Sequence, residues 1–162
     1  MIKVGILDDD KVYVADKDAK KVFDTSVDGY ALNTILGLNK KYAFECVTMF
    51  VLETLTGEKF GGIISNLLRH TDGKFIRPMT SVLLEFKQGV KMYFPNKDRE
   101  DIVYLDTTCI MFGNGTNGPA IRIDKDLNGG FSYGGGAFGN EKLVGSENGE
   151  FKVKKMEVFI LE

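Results

Sequence analysis

The sequence has no tryptophan, three prolines, two cysteines and a single histidine among its 162 residues. With only His70, which lies in a polar stretch, a histidine-based zinc site lacks ligands and a catalytic triad has no obvious base. No stretch approaches the roughly 20 apolar residues of a membrane-spanning helix. The first five residues also lack the basic and apolar regions of a secretion signal. We therefore expect a cytoplasmic protein with no membrane insertion.

The chain also lacks a large excess of positive or negative charge. The 21 Lys and Arg residues and the 23 Asp and Glu residues give a net charge of −2 and are interleaved along the chain. Nucleic acid is therefore an unexpected partner, because binding to phosphates needs a field of positive charge. Hydrophobic residues make up 43% and charged residues 27% of the chain, which is typical of one globular domain.

Phenylalanine, tyrosine and glycine are abundant, with 12, six and 19 copies. These residues favour β-strands joined by tight turns. A short helix is expected over residues 31–38, a tight turn at Asp28-Gly29, and a β-bulge near Lys154-Lys155, where the apolar phase slips. The pattern predicts a mainly β or α+β fold, a two-layer antiparallel β-sandwich with a few short flanking helices. The expected strands are a hairpin within 1–14 and the runs 44–53, 59–65, 81–86, 90–94, 102–112, 120–124 and 151–161.

One polar segment resembles half of a calcium loop. Asp124, Asp126 and Asn128 place oxygen ligands at alternate positions and Gly129 occupies the sixth position, but the twelfth is Gly135 where a bidentate Glu is needed. We expect an Asx-rich turn here, and a calcium- or small-ligand-binding sandwich is the alternative. The segment 128–140 is glycine-rich and is expected to be an ordered loop held by its aromatic residues.

No other constellation predicts catalysis, so we expect no enzymatic activity and no cofactor. Cys46 and Cys109 lie in apolar runs typical of small buried side chains, and a disulfide or a redox-sensing thiol is the alternative. Carboxylates that might pair for glycoside chemistry are present, but the sequence gives no distance between them. They are Glu53, Glu58, Glu85 and Asp106.

Six segments in the right order resemble motifs of the TLDc domain family. The turn at residues 23–32 is similar to LYSTSxDGxSL, residues 60–65 to FGAFxS and 81–84 to SFLF. Residues 112–127 are similar to the GLxLDxDL region, 137–143 to TFGNPxL and 156–159 to LEVW. Departures are Thr80, where the family often has Glu, and Phe159, where it has Trp. The motif positions, expected to be mostly structural, are Ser26, Asp28, Gly29, Gly61, Ser81, Gly113, Asp124, Asp126, Phe138, Gly139, Asn140 and Glu157.

The resemblance implies a single domain over residues 1–162, with an atypical N-terminal hairpin segment at 1–21 and a family-like region at 22–161. It also implies a sandwich of antiparallel sheets with flanking helices. It further implies a protein-binding module linked to oxidative-stress resistance and to regulation of the vacuolar proton-pumping ATPase, whose subunits would be the partners. The family implies no catalytic residues.

Overall fold

The computed structural model describes residues 19–42, 46–65 and 70–161. The hairpin predicted within residues 1–14 lies outside this part of the chain. The described part holds ten strands, two short helices and two 3₁₀ turns, the latter at Leu38–Lys40 and Gly136–Phe138. In chain order they are β1 Ala19–Asp24, α1 Thr25–Asp28, α2 Leu32–Gly37, β2 Val47–Thr54, β3 Lys59–Ser65, β4 Ser81–Phe86, β5 Val90–Tyr93, β6 Val103–Leu105, β7 Cys109–Phe112, β8 Ile121–Asp124, β9 Gly129–Phe131 and β10 Glu150–Leu161.

The strands form two antiparallel sheets that share β10. The first sheet runs β5-β4-β3-β2-β10-β1, and the second runs β10-β9-β8-β7-β6. The start of β10, residues 150–152, pairs with β9, while residues 153–161 pair with β2. The antiparallel two-layer sandwich predicted from the sequence is confirmed, and β10 is the strand that passes from one layer to the other.

The main core lies between the two sheets. Phe50 of β2 meets Phe112 of β7 edge-to-face with ring centroids 5.7 Å apart, and Phe60 of β3 meets Phe151 of β10 at 5.3 Å. Edge-to-face contacts of this kind add to the stabilisation from burial. The same core takes in Leu32 and Ile35, the two buried residues of α2. The opposite face of the first sheet carries a second buried apolar cluster, made of Met49, Val51, Ile63, Val82, Leu84 and Leu161.

Two glycines allow neighbouring strands to approach closely. A Cβ at Gly61 would lie 1.9 Å from the backbone oxygen of Phe50, and one at Gly130 would lie 1.8 Å from that of Arg122. Any side chain at these positions would force the strands apart. Gly130 belongs to β9, so the prediction of an ordered loop over residues 128–140 was wrong for residues 129–131. Glycine at position 130 allows β9 to lie close to β8.

The prediction of a single strand over residues 102–112 was also wrong. It is broken into β6 and β7 by a turn that Asp106 stabilises, since its Oδ1 accepts hydrogen bonds from the backbone N–H of Thr108 at 2.7 Å and of Cys109 at 3.1 Å. The helix predicted over 31–38 is confirmed as α2. The short helix α1 was not predicted, although Gly29, which ends it, has the positive φ of +82° expected at a tight turn.

Candidate functional site

The bulge predicted in β10 lies where this strand changes sheets. Val153 pairs with Thr54, but the next registered pair is Lys155 with Glu53, which leaves Lys154 as the extra residue of a β-bulge. A bulge disturbs the regular ladder, so its backbone groups need other partners. The segment after β1 supplies them.

Two side chains from this segment bind the backbone of the bulge. Thr25 Oγ1 accepts a hydrogen bond from the N–H of Met156 at 3.0 Å, and the Tyr30 hydroxyl donates to the carbonyl of Lys154 at 2.9 Å. On the far side of the bulge, Lys154 Nζ lies 2.8 Å from Glu53 Oε1. The change of sheet in β10 is therefore held by residues more than 100 positions earlier in the chain.

The segment itself is shaped by hydrogen bonds between near neighbours. Asp24 caps α1 by accepting from the N–H of Ser26 at 3.0 Å, and Asp28 Oδ2 accepts from the N–H of Asp24 at 2.8 Å. Reciprocal bonds of this kind satisfy donors at a helix start. The side chains of Ser26 and Val27 remain exposed at the tip. We call residues 24–30 the signature turn.

Two lysines and two carboxylates form a closed ion-pair cluster beside the signature turn. Lys21 Nζ lies 3.0 Å from Asp24 and 2.7 Å from Glu157, and Lys155 Nζ lies 3.3 and 3.0 Å from the same two carboxylates. Hydrogen bonds from Ser26 and Lys21 hold the pKa of Asp24 well below its ordinary value. Burial raises the pKa of Glu157, but Lys21 and Lys155 outweigh it and lower that pKa. All four charges are thus used within the fold.

The calcium-like segment forms the turn between β8 and β9. The side chain of Leu127 is fully buried, and the residue adopts a positive φ of +52°. Asp124 Oδ1 accepts from Arg122 Nε at 3.3 Å and Asp126 Oδ1 from the N–H of Asn128 at 3.2 Å. Across residues 19–42, 46–65 and 70–161, no group of three or more His, Cys, Asp or Glu is placed to hold a metal ion. The calcium alternative stays a prediction.

This turn is also joined to α2, the helix that follows the signature turn. The N–H of Leu32, the first residue of α2, donates to the carbonyl of Lys125 at 2.9 Å. On the other side, the N–H of Val153 donates to the carbonyl of Asn128 at 2.8 Å. The structure therefore brings together motif positions that are far apart in sequence, namely Ser26, Asp28 and Gly29, Asp124 and Asp126, and Glu157.

The remaining motif positions lie elsewhere. Gly113, with a positive φ of +65°, packs so closely on Phe138 that a Cβ would lie 2.8 Å from its ring. Gly139 is left-handed at φ +58°, and the buried Asn140 donates through Nδ2 to the carbonyls of Tyr133 at 3.1 Å and Glu141 at 2.8 Å. The last two, Gly61 and Ser81, lie buried in β3 and at the start of β4.

Two of the carboxylates considered for catalysis, Glu58 and Asp106, accept hydrogen bonds within the fold. Glu58 accepts from the hydroxyls of Thr54 and Thr56 and from the N–H of Gly145 at 2.9 Å. Burial alone would raise the pKa of Glu58, but these hydrogen bonds lower it to about 2. In the same way, hydrogen bonds within its turn outweigh the burial of Asp106 and lower its pKa to about 2. Both groups stay ionised at neutral pH, so neither is tuned to exchange protons there.

The remaining candidate groups are His70 and the two cysteines. His70 is exposed. The two cysteines are free thiols, with Cys46 half-buried and Cys109 buried. Burial raises the pKa of the Cys109 thiol, which keeps it protonated and unreactive at neutral pH.

A family comparison agrees with this arrangement of motifs. The family model described as the TLDc domain matches residues 7–162, nearly the whole chain. The chain belongs to the TLDc domain family. The resemblance noted from six motifs is thereby confirmed. No helix in the described part of this TLDc domain is both long and apolar enough to cross a membrane.

Three exposed apolar residues of the TLDc domain lie on segments that are hydrogen-bonded to β10 at or near its bulge. Val27 is 81% exposed, Tyr30 40% and Leu55 66%. The Tyr30 hydroxyl donates to the carbonyl of Lys154, and the N–H of Leu55 donates to the carbonyl of Lys152 at 2.9 Å. Lys152 and Lys154 are themselves exposed. We call these five residues the signature surface. Sequence reasoning did not find it, because Leu55 reaches β10 only through the β2–β10 pairing.

Proposed function

We propose that this TLDc domain is a non-enzymatic, cytoplasmic protein-interaction module that contributes to oxidative-stress resistance by binding and regulating the vacuolar proton-pumping ATPase. The observation that carries the proposal is the signature surface. Three of the six large apolar side chains that are exposed in the described part of the chain, Val27, Tyr30 and Leu55, belong to segments hydrogen-bonded to β10 at or near its bulge. Exposed apolar side chains accompanied by charged ones are a feature of surfaces that bind other proteins.

The state of the ionisable groups supports a binding role over a catalytic one. Asp24, Glu157, Lys21 and Lys155 neutralise each other within the fold. The lowered pKa values of Glu58 and Asp106 suit neither a general acid nor a general base at neutral pH. A module that only binds needs a stable surface and no such tuned group.

The test is a pull-down from the cells in which the protein occurs, with tagged wild-type and two variants. Val27→Asp puts a charge on the signature surface, whereas Met79→Asp puts the same charge on the most exposed apolar side chain of the described part, which is 97% exposed. Met79 precedes β4 near the Ser65 end of β3, while Leu55 lies near the opposite end. The two sites are thus well separated.

We expect wild-type and Met79→Asp protein to capture subunits of the proton pump, and Val27→Asp protein to capture several-fold less. Because both substitutions fall on exposed side chains, both variants should keep the wild-type melting temperature. Failure of the wild-type protein to recover any pump subunit, with and without oxidative stress, would refute the pump as partner. Equal capture by all three proteins would refute the signature surface as the contact.

A further inference from the structure

The face of the first sheet that lies opposite the main core is buried at its centre. Six apolar side chains on this outer face are between 0 and 7% exposed, and they are Met49, Val51, Ile63, Val82, Leu84 and Leu161. They come from four neighbouring strands, β10, β2, β3 and β4. A sheet face in contact with water would leave such side chains exposed, so something must cover this one.

The described residues do not supply an apolar cover. Every apolar residue in residues 19–42, 46–65 and 70–161 that packs against the six belongs to a strand of the first sheet itself; these are Ala19, Val47, Phe86, Met92 and Phe159. The buried apolar residues of α2 belong to the main core instead. The exposures are those of a single chain, so neither a second copy nor a partner protein produces this burial.

Exposure along the outer face shows how far the cover extends. Leu84 of β4 is 1% exposed, Met92 opposite it in β5 is half-buried, and Val90 in β5 is 55% exposed. Residues paired across strands share a face, so Val90 lies on the same face as its partner Phe86. The cover therefore extends from β10 to β4 and ends before β5. With strands about 4.8 Å apart, these four strands span about 14 Å.

Length and position favour residues 1–18 as the cover. The other stretches outside the described residues, 43–45 and 66–69, reach at most about 14 Å when fully extended and are tied to described residues at both ends. Eighteen residues reach about 27 Å even in the compact geometry of a helix. The chain also leaves the described part on the correct side, because Ala19, the first residue of β1, packs against the buried cluster.

The composition of this segment suits an apolar face. Seven of its residues are large and apolar, namely Ile2, Val4, Ile6, Leu7, Val12, Tyr13 and Val14. The match to the TLDc domain begins at residue 7, so most of the segment belongs to the domain.

We propose that residues 1–18 pack over the outer face of the first sheet, from β10 to β4, and complete the hydrophobic interior of the domain. Their apolar side chains exclude water from the six buried side chains. The outer face is then closed to a partner protein while the segment is in place. This inference goes beyond the proposed function and does not depend on which partner the domain binds.

The test is NMR of the full chain with isotope-labelled isoleucine, leucine and valine methyl groups. Nuclear Overhauser cross-peaks join only methyl groups that are close in space. We expect the methyl groups of Val82 and Leu84 to give cross-peaks to methyl groups within residues 1–18. Cross-peaks to first-sheet residues alone would overturn the proposal. Cross-peaks between labelled and unlabelled chains in a mixed sample would also overturn it, because they would make a second copy the cover.

Two matched variants of the full chain measure what the segment contributes. The first removes four apolar side chains through Val4→Ser, Ile6→Ser, Leu7→Ser and Val12→Ser. The second removes four charged side chains and leaves the net charge unchanged, through Lys3→Ser, Asp8→Ser, Asp10→Ser and Lys11→Ser.

The two variants should behave differently. The apolar variant should shift the amide resonances of β2, β3 and β4 and melt at least about 5 °C below wild-type, because it uncovers apolar surface. The charged variant should melt within about 2 °C of wild-type. Equal melting temperatures of the two variants would refute the proposal. If the apolar variant does not fold, the methyl cross-peaks of the wild-type chain decide. Capture of pump subunits in the pull-down tests the proposed function separately.

Discussion

Replacing Thr25 by valine tests whether the signature turn holds the bulge of β10. The Thr25 side chain is 2% exposed, and its Oγ1 accepts the hydrogen bond of the Met156 N–H at 3.0 Å. Valine has nearly the same shape as threonine, so the substitution removes the acceptor with little change in packing. It leaves a buried N–H without its partner.

The expected size of the effect follows from that loss. A buried donor deprived of its partner costs about 1–3 kcal/mol of unfolding free energy. In a chain of 162 residues, each kcal/mol lowers the melting temperature by roughly 2–4 °C, so Thr25→Val should melt roughly 2–12 °C below wild-type. Thr25→Ser keeps the hydroxyl and loses one methyl group, which costs only about 0.8 kcal/mol.

Thr48 provides a matched control within the same protein. It is fully buried in β2, but its Oγ1 has no hydrogen-bond partner among the described residues. Thr48→Val therefore removes a hydroxyl that gains nothing from the fold, and the variant should be as stable as wild-type or more stable. Urea unfolding followed by circular dichroism measures both free energies, and an unchanged m-value shows that the unfolded state is comparable.

The order of the unfolding free energies of these variants tests whether the hydrogen bond from Met156 to Thr25 stabilises the fold. The reasoning requires Thr25→Val to be the least stable of the series, Thr25→Ser to lie between it and wild-type, and Thr48→Val to lie at or above wild-type. If Thr25→Val unfolds at the same urea concentration as Thr48→Val, the hydrogen bond to Met156 contributes nothing to stability. The bulge would then be maintained by the pairing of β10 with β2 and by the hydrogen bond from Tyr30.

Three further results are expected. The folded-state pKa of Glu58 is about 2 and its ordinary value is 4.5. The contribution of Glu58 to stability is therefore complete above about pH 4.5 and is lost as pH falls toward 2. The free energy of unfolding of Glu58→Gln should depend less steeply on pH over this range than that of wild-type. Gly61→Ala would place its Cβ 1.9 Å from a backbone oxygen of β2 and should cost more than about 3 kcal/mol, whereas Gly37→Ala, in open space near the end of α2, should stabilise by roughly 0.5–1 kcal/mol in the same urea assay. Calcium should leave the melting temperature unchanged, because Asp124 and Asp126 already accept hydrogen bonds; a rise abolished by Asp126→Ala would favour the ligand-binding alternative.

Hydrophobic periodicity predicted some strands to the residue and failed at others for a physical reason. The bounds of β3 and β4 agree with the predicted runs 59–65 and 81–86, because a glycine-containing turn at 55–58 precedes β3 and another at 87–89 follows β4. Between β6 and β7 the chain turns at Asp106, where side-chain oxygens bind backbone N–H groups. Hydropathy carries no information on such bonds. The run 102–112 therefore read as one strand.

The candidate site shows a similar limit. The phase slip near Lys154 predicted the bulge, because a change in which residues face the core is visible in sequence. The partners of the bulge were not predictable in this way. Thr25 and Met156 are 131 positions apart, and nothing in the spacing of either indicates that one hydroxyl satisfies the other N–H. Recognition of motifs identified positions that matter but not what they contact.

The contacts separate the motif positions that hold the fold from those that are left exposed. In the motif LYSTSxDGxSL, the specified positions correspond here to residues such as Thr25, Asp28 and Gly29, which bind the bulge, cap the turn or adopt its positive φ. The two unspecified positions correspond to Val27 and Tyr30, which carry exposed apolar side chains on the signature surface. Substitution of the groups that hold β10 between the sheets would destabilise the fold, so these positions are not free to vary with the partner. Partner choice is therefore expected to depend on the positions that the motif leaves open.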